Sequence, residues 1–486
     1  MNSILIALHV VSVAGLAIYG VLGYVTLWLY FRYRHAEVQA DNVSPAELPF
    51  VTVQLPVFNE SEVVERLIRA AGSLEYPRDR LEIQVLDDST DLTTEIASRV
   101  ALDLQNRGID VRLIHRPNRQ GFKAGALAAG LESARGEFIA IFDADFMPYP
   151  DFLRRTIPFF LDNADLGVVQ TRWDHLNEHE SGLTKAQAIA MDKHFAIDQF
   201  VRHRAGLFPK FNGSAGVWRR RCIQTAGGWH GDTACEDLCL STRAVLAGWK
   251  FHYTNDIIAP AELPSTVLAY KTQQSRWALG ATQCLRKYAW AIWREPRYSL
   301  PERLYAVLSM GAYTTYLFAL LLLIVQLPLT VAGLQLPRWM WIFSLIGLGQ
   351  PILMLFAQSL LHDDWPRRLW YLPSLLVVAI GLTPSTSWAV LRGLFGRDFT
   401  FTRTPKGNRR AYRQSPGRML GVELLLMIYS AVTLAWALAT HNTGPVLLMG
   451  TSVVGLGYMV ITGIVEARQS AGARTPAITS EKSMSI

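Results

Sequence analysis

Cysteine is scarce in this chain: Cys222, Cys235, Cys239 and Cys284 are the only four in 486 residues. So few exclude a disulfide scaffold, and in a reducing compartment all four are expected as free thiols. His230, Cys235 and Cys239 fit no common zinc spacing, so no zinc site is expected. Common nucleotide-binding signatures are missing as well. The stretch GFKAGALAAG (121–130) lacks the pattern G-x-x-x-x-G-K-S/T, which excludes a P-loop NTPase. No G-x-G-x-x-G follows a strand, which argues against a dinucleotide site. Helix-turn-helix, zinc-finger and RRM signatures are absent, so nucleic acid is not an expected partner.

Charge is nearly missing from five long stretches, 4–31, 305–332, 339–361, 420–440 and 445–465. Each is about long enough to cross a ~30 Å hydrocarbon core. Between the first and second lies a long region of ordinary soluble composition. The expectation is a multi-pass membrane protein with a soluble domain inserted after its first helix. The first stretch has no basic leader and no small-residue cleavage site, so it reads as a span rather than a signal peptide. Arg32, Arg34 and His35 follow it and assign the soluble domain to the cytoplasm, at an inner or plasma membrane. The net charge, 47 Lys and Arg against 40 Asp and Glu (+7), suits anionic lipid and anionic substrates.

What is present in the soluble region is an alternation of strands and helices. FVTVQLPV (50–57) is a β-rich run that stops at Phe58-Asn59-Glu60, before a helical pattern over 61–74. LEIQVLDDSTD (81–91), VRLIH (111–115) and FIAIFDADF (138–146) follow, with helical patterns between them. Such alternation predicts an α/β, doubly wound, mostly parallel sheet, whose ligands bind beyond the carboxyl ends of the strands. Asn59, Glu60, Asp87, Asp88, Asp143 and Asp145 fall at those ends. On a strand, alternation would place Asp143 and Asp145 on one face, where a cation between them would relieve their repulsion. Lys123 is placed to meet phosphate. Asn212 and Gly213 belong to the glycine-containing FNGSAGVWRR (211–220), which suits close backbone approach to a ligand. Glu236 and Asp237 precede a helical pattern, where acids also simply complement a helix dipole. Gln273, Arg276 and Trp277 share one face if 265–294 is helical; the alternative is an amphipathic interfacial helix.

Taken in order, LDDSTD, FDADF, Glu236-Asp237 and QQSRW (273–277) resemble the four signature elements of the family 2 glycosyltransferases. Within that family the chain is similar to the membrane-bound processive β-glycan synthases. VQLPVFNE, GFKAGAL, IFDADFMPYPDFLRRTIP, FNGSAGVWR and ELPST are similar to the cellulose-synthase-like A group, the glucomannan 4-β-mannosyltransferases. The resemblance runs from about 50 to 410 and more weakly beyond. It implies a GT-A domain over 45–300 that transfers sugar from a nucleotide donor, GDP-mannose or UDP-glucose, with inversion. It also implies that Asn59, Glu60, Asp87, Asp88, Lys123, Asp143, Arg276 and Lys406 bind the donor. Asp143 and Asp145 would hold Mg²⁺ or Mn²⁺, and Asp237, beside Glu236, would be the general base. Asn212, Gly213, Gln273 and Trp277 would bind the acceptor, a growing glycan or a lipid. Cys235 stands where many relatives have Thr or Val. FTFTRTPKGN (399–408) resembles the gating loop of cellulose synthases.

The remaining expectations concern organisation. One transmembrane helix lies in 1–35, two in 301–362 and two in 420–466. Residues 363–419 form an interfacial or re-entrant segment with the gating-type loop, because that loop is rich in Arg and Pro373 and Pro384 interrupt the apolar run before it. Residues 467–486 form a disordered cytoplasmic tail. A homo-oligomer stays open, as does a lipid-directed glycosyltransferase. A transporter with a nucleotide-binding domain is disfavoured by the uncharged spans.

Overall fold

The computed structural model describes residues 2–35, 48–334, 337–396 and 419–472. Lys406, the gating-type loop and most of the C-terminal tail lie outside the described residues. Helix α1 (Asn2–Tyr33) leads into the first strand–helix units. These are β1 (Val51–Val57), α2 (Val64–Gly72), β2 (Leu81–Asp87), α3 (Thr93–Asn106), β3 (Val111–His115), α4 (Phe122–Ser133) and β4 (Phe138–Ile141). Strands β5 (Leu166–His175), β6 (Gly216–Arg219) and β7 (Lys250–Ala261) complete a seven-stranded sheet in the order β3-β2-β1-β4-β6-β5-β7. All neighbours are parallel except β6, which runs antiparallel to both β4 and β5. The glycine-containing stretch 211–220 is therefore partly a strand. Its extended part is only four residues, too short to show a period of two.

The sheet is buried on both faces, which explains its unbroken apolar runs. Val51, Val53 and Leu55 pack with Leu67, Val100 and Phe152 on one side. On the other, Ile139 and Ile141 join Leu127, Trp218, Leu240 and Ile292. Polar residues on the second face of β1 pair across the sheet: Thr52 donates to Glu82 at 2.6 Å and Gln54 to Gln84 at 3.0 Å. Buried side chains of this kind stay stable only because each has a partner.

Among the described residues, five helices are long and apolar enough to cross a membrane: Asn2–Tyr33, Ala312–Val331, Trp341–Leu361, Met419–Ala439 and Val446–Gln469. The apolar stretch 305–332 is divided at Gly311, because Ala306 and Met310 of the preceding helix pack into the core of the soluble domain. Helices Trp365–Gly381 and Thr383–Phe395 meet at a 49° bend and are long enough to span only when taken together. The second of these lies along Val267–Arg294, where a Cβ on Gly393 would come within 2.7 Å of Thr282. Helix α1 packs against Ala312–Val331 and the Trp341–Leu361 segment. A Cβ on Gly23 would sit 2.6 Å from the Gly349 backbone, so the two helices touch almost backbone to backbone.

Candidate active site

Loops at the carboxyl ends of β1, β2 and β4 converge on a cleft closed by Val267–Arg294. A chamber of about 160 Å³ is lined by Glu60, Asp88, Arg119, Lys123, Asp143, Asp145, Asn212, Gly213, Glu236, Asp237, Gln273, Arg276 and Trp277 among others. Asp143 and Asp145 reach it from a turn rather than from a strand face. Strand β4 ends at Ile141, Phe142 is buried in the core, and the chain turns at Ala144. That loop is pinned when Asp143 N donates to Ser214 Oγ at 2.9 Å and Met147 N donates to Pro260 O at 2.8 Å.

The two acids that end β2 part company. Asp87 is fully buried and is taken up by Ser89 N at 2.9 Å, Thr94 Oγ1 at 2.6 Å and His115 Nδ1 at 2.8 Å. Burial pushes its pKa up, but those hydrogen bonds outweigh it and hold the carboxyl below its ordinary value. Asp88 lines the chamber and is gripped by Arg116, with Nε and Nη2 donating at 2.7 and 2.6 Å. Asn59 lies outside the lining, with a left-handed φ of 53°. Its side chain accepts from Thr90 N at 2.8 Å, so it shapes the loop that carries Glu60.

Lys123 is the hub of the acidic end. Its Nζ lies 2.5 Å from Asp143 and 3.7 Å from Glu236, and donates to Gly213 O at 2.8 Å. Burial lowers its pKa, yet Asp143, Glu236 and Asp237 more than compensate, so it stays an ammonium. Gly213 has φ +86°, and a Cβ there would stand 3.0 Å from Asp237 Oδ2; only glycine fits. Burial and then the charge of Glu236 push the Asp237 carboxyl up to about 7, against the pull of Lys123. Burial also raises Asp143, with Asp145 and Glu236 adding to it against Lys123. A carboxylate poised near neutrality, in a cleft beside a second one, suits proton abstraction.

A second chamber, of about 370 Å³, adjoins the first and shares Asp145, Trp173, Asn212, Cys235, Asp237, Gln273 and Trp277 with it. It extends past His194, Lys210, Tyr270 and Ser309 to Ala312 and Tyr313, where the second apolar helix begins. Asn212 is fixed by three contacts: its N donates to Gln170 at 2.8 Å, Gln199 donates to its Oδ1 at 2.5 Å, and its Nδ2 meets His194 Nε2 at 2.6 Å. Gln273, Arg276 and Trp277 are helical and reach the first chamber together.

Sequence reasoning did not single out Arg116, Arg119, Trp173, His194, Lys210 or Tyr313. Arg119 had a signal, since it lies four residues before Lys123, just ahead of α4, and its guanidinium stacks 3.4 Å over Phe58. The others reach the site only through tertiary packing. Cys235 lines both chambers. Among the described residues, no group of three or more His, Cys, Asp or Glu side chains could hold a metal by itself. Two carboxylates completed by substrate phosphate oxygens are the usual provision for Mg²⁺, and Asp143 with Asp145 fits it.

Residues 49–280 match the family model described as "Glycosyltransferase like family 2". Glucomannan 4-beta-mannosyltransferase 2 of Arabidopsis thaliana is 41% identical over 324 residues, 63% of this chain and 60% of its own length. Glucomannan 4-beta-mannosyltransferase 1 of Oryza sativa subsp. japonica is 38% identical over 319 residues, 63% of this chain and 61% of its own length. The chain thus spans about three fifths of these curated relatives. Among solved structures, a mannosyltransferase from Pyrobaculum calidifontis in complex with GDP-Man and Mn²⁺ superposes with a TM-score of 0.56 at 22% identity. It covers 81% of this chain and 100% of that one, a likeness of fold. Residues 49–280 thus match the family 2 glycosyltransferase model, and the fold is GT-A-like.

Proposed function

We propose that the protein is an inverting, processive β-glycosyltransferase that extends a β-1,4-mannan or glucomannan from GDP-mannose at a membrane. The observation that carries this reading is the meeting of two unlike chambers at Asp237. One lies over the strand ends and holds Lys123, Asp143 and Glu236; the other, lined by charged residues and by Tyr270 and Tyr313, leads to the first residues of an apolar helix. The curated relatives are glucomannan mannosyltransferases, and the solved neighbour was captured with GDP-Man and Mn²⁺, which favours a mannosyl donor.

In this reading Asp88 and Arg119 meet the nucleoside, while Lys123 and Arg276 meet the diphosphate. Asp143 and Asp145 would hold Mg²⁺ or Mn²⁺, which when bound supplies positive charge to the leaving diphosphate. Asp237 takes the proton of the acceptor hydroxyl. That oxygen then bonds to the anomeric carbon as the carbon–oxygen bond to the diphosphate breaks, and the electron pair leaves with the nucleoside diphosphate. Attack from the face opposite the diphosphate inverts the centre. Arg276 offers planar, bidentate donors to the departing group. Trp277 and Trp173 present apolar faces to the acceptor sugars. Lys406 belongs to a loop that gates the donor.

The soluble domain lies on the cytoplasmic side and Trp365–Phe395 lies along or re-enters the interface, since the sequence of 391–419 is strongly basic. An impermeant thiol reagent that labels a cysteine placed at position 408 only from outside sealed cells would overturn that topology. For the reaction, detergent-purified protein is incubated with labelled GDP-mannose and UDP-glucose, and the product is digested with linkage-specific hydrolases. A polymer cut by β-1,4-mannanase supports the proposal. A single sugar on a lipid, or no transfer from any nucleotide sugar, refutes it.

A further inference from the structure

The helix Val267–Arg294 begins in an unusual way. The first amides of any α-helix lack partners within the helix and need them from elsewhere. Here Thr266 supplies one locally, its Oγ1 accepting from Ala269 N at 3.2 Å. The two amides before it are taken by a residue 199 positions away. Val267 N donates to Glu466 Oε1 at 2.8 Å and Leu268 N to Glu466 Oε2 at 3.0 Å. Glu466 sits near the end of the last apolar helix, Val446–Gly472. One turn on, Lys271 Nζ lies 2.5 Å from Glu423 Oε1 and donates to Oε2 at 2.7 Å. Glu423 is fully buried near the start of the preceding apolar helix, Met419–Ala439.

We propose that Glu466 and Glu423 are positioning residues, which hold the first turns of the Val267–Arg294 helix to the last two membrane helices. They thereby set where Gln273 and Trp277 stand in the acceptor chamber. The proposal rests on the glycosyltransferase reading above. Thr266 shows that a local cap is available, yet two of the three satisfied amides are held by a carboxylate from the membrane bundle. A carboxylate also favours the positive end of a helix dipole. The two membrane helices pack against each other, so the two grips belong to one body. A shift of one residue along a helix is about 1.5 Å with a turn of about 100°, enough to take Trp277 off a sugar face. Asp88, after β2, and Lys123, at the start of α4, are not attached to either grip. Arg276 is the one donor-side group carried on the gripped helix, so both carboxylates act chiefly on the acceptor side.

The test is Glu466→Gln, which keeps shape but offers an N–H to one of the two amides, beside the exchanged pair Lys271→Glu with Glu423→Lys. Charge-assisted hydrogen bonds of this strength correspond to about a tenfold change. Full-length protein in detergent should show a KM for mannan oligosaccharide raised about tenfold in Glu466→Gln, with shorter products. The affinity for GDP should fall less than that for the acceptor, because Asp88 and Lys123 stay in place while Arg276 moves with the helix. Glu423→Lys alone should show the same acceptor defect, and the exchanged pair should recover from it. Amide hydrogen exchange gives a readout that needs no activity. In Glu466→Gln, faster exchange should begin at 267–268 and reach 273–277. A lowered melting temperature with unchanged acceptor KM, product length and 273–277 exchange would overturn the proposal, as would equal losses of GDP and acceptor binding. If the unaltered protein transfers no sugar, the functional reading fails. The exchange pattern still decides whether the two carboxylates position the helix.

Discussion

The two chambers that meet at Asp237 are built differently. The chamber over the strand ends draws acids from short loops after adjacent parallel strands: Glu60 after β1, Asp88 after β2, and Asp143 and Asp145 after β4. The second chamber draws on segments far apart in the chain, from Trp173 through His194 and Lys210 to Tyr313. Strand-end loops are held by the sheet itself, so their groups are set before any ligand arrives. The second chamber depends on how the 267–294 helix and the apolar helices pack. The first is a property of the sheet, the second of the assembly.

That contrast is broken most severely at the shared residue. Asp237→Asn should reduce turnover by at least about 10²-fold, because a general base contributes that much or more. GDP binding by calorimetry should stay close to normal; a variant with near-normal turnover removes Asp237 from the mechanism. Next comes Asp145→Ala. It should abolish the response to added Mg²⁺ or Mn²⁺ and lower the rate about 10²-fold, the order expected when charge stabilisation of the leaving group is lost. Full activity of the unaltered protein in excess EDTA would contradict this.

The pH profile separates the chambers more gently. Asp237 must be ionised to accept a proton, and its carboxyl is pushed up to about 7. Activity should therefore be low at acid pH, rise about tenfold per unit, and level off above about 7. Cation held by Asp143 and Asp145 favours the carboxylate, so raising its concentration should move the rise to lower pH. A flat profile from pH 5 to 8 would remove the perturbed base. Smallest of the four, Trp277→Ala should raise acceptor KM about 2- to 10-fold, in line with one lost aromatic contact, and leave donor KM unchanged. Equal effects on both would mean that the chambers are not separate.

The same division decides what could be read from the amino acids alone. Strand–helix alternation and acids at strand ends are local patterns, so the sheet and the acids that line the cleft were legible. The roles of Asp87 and Asp88 differ only because one faces inward to Thr94 and His115, which no local pattern reveals. Asp143 and Asp145 share the cleft as expected, but through a turn, since Phe142 is drawn into the core. The antiparallel β6 hid within a glycine-containing run. His194, Lys210 and Tyr313 carried no motif, because their place is set by packing between segments distant in sequence.

The close contact of α1 with later helices has a consequence for biogenesis. Its partners, Ala312–Val331 and the Trp341–Leu361 segment, are encoded after the whole sheet domain. Tyr19 donates to Gly311 O at 2.8 Å and lies 2.9 Å from Thr314 Oγ1, so its hydroxyl finds these partners among residues made much later. At about 5–20 residues per second, the intervening chain takes tens of seconds to emerge from the ribosome. During that interval α1 lacks these partners, and the bare backbone at Gly20 and Gly23 stays uncovered. A chaperone or insertase that shields a single glycine-notched helix would act on this protein in that window.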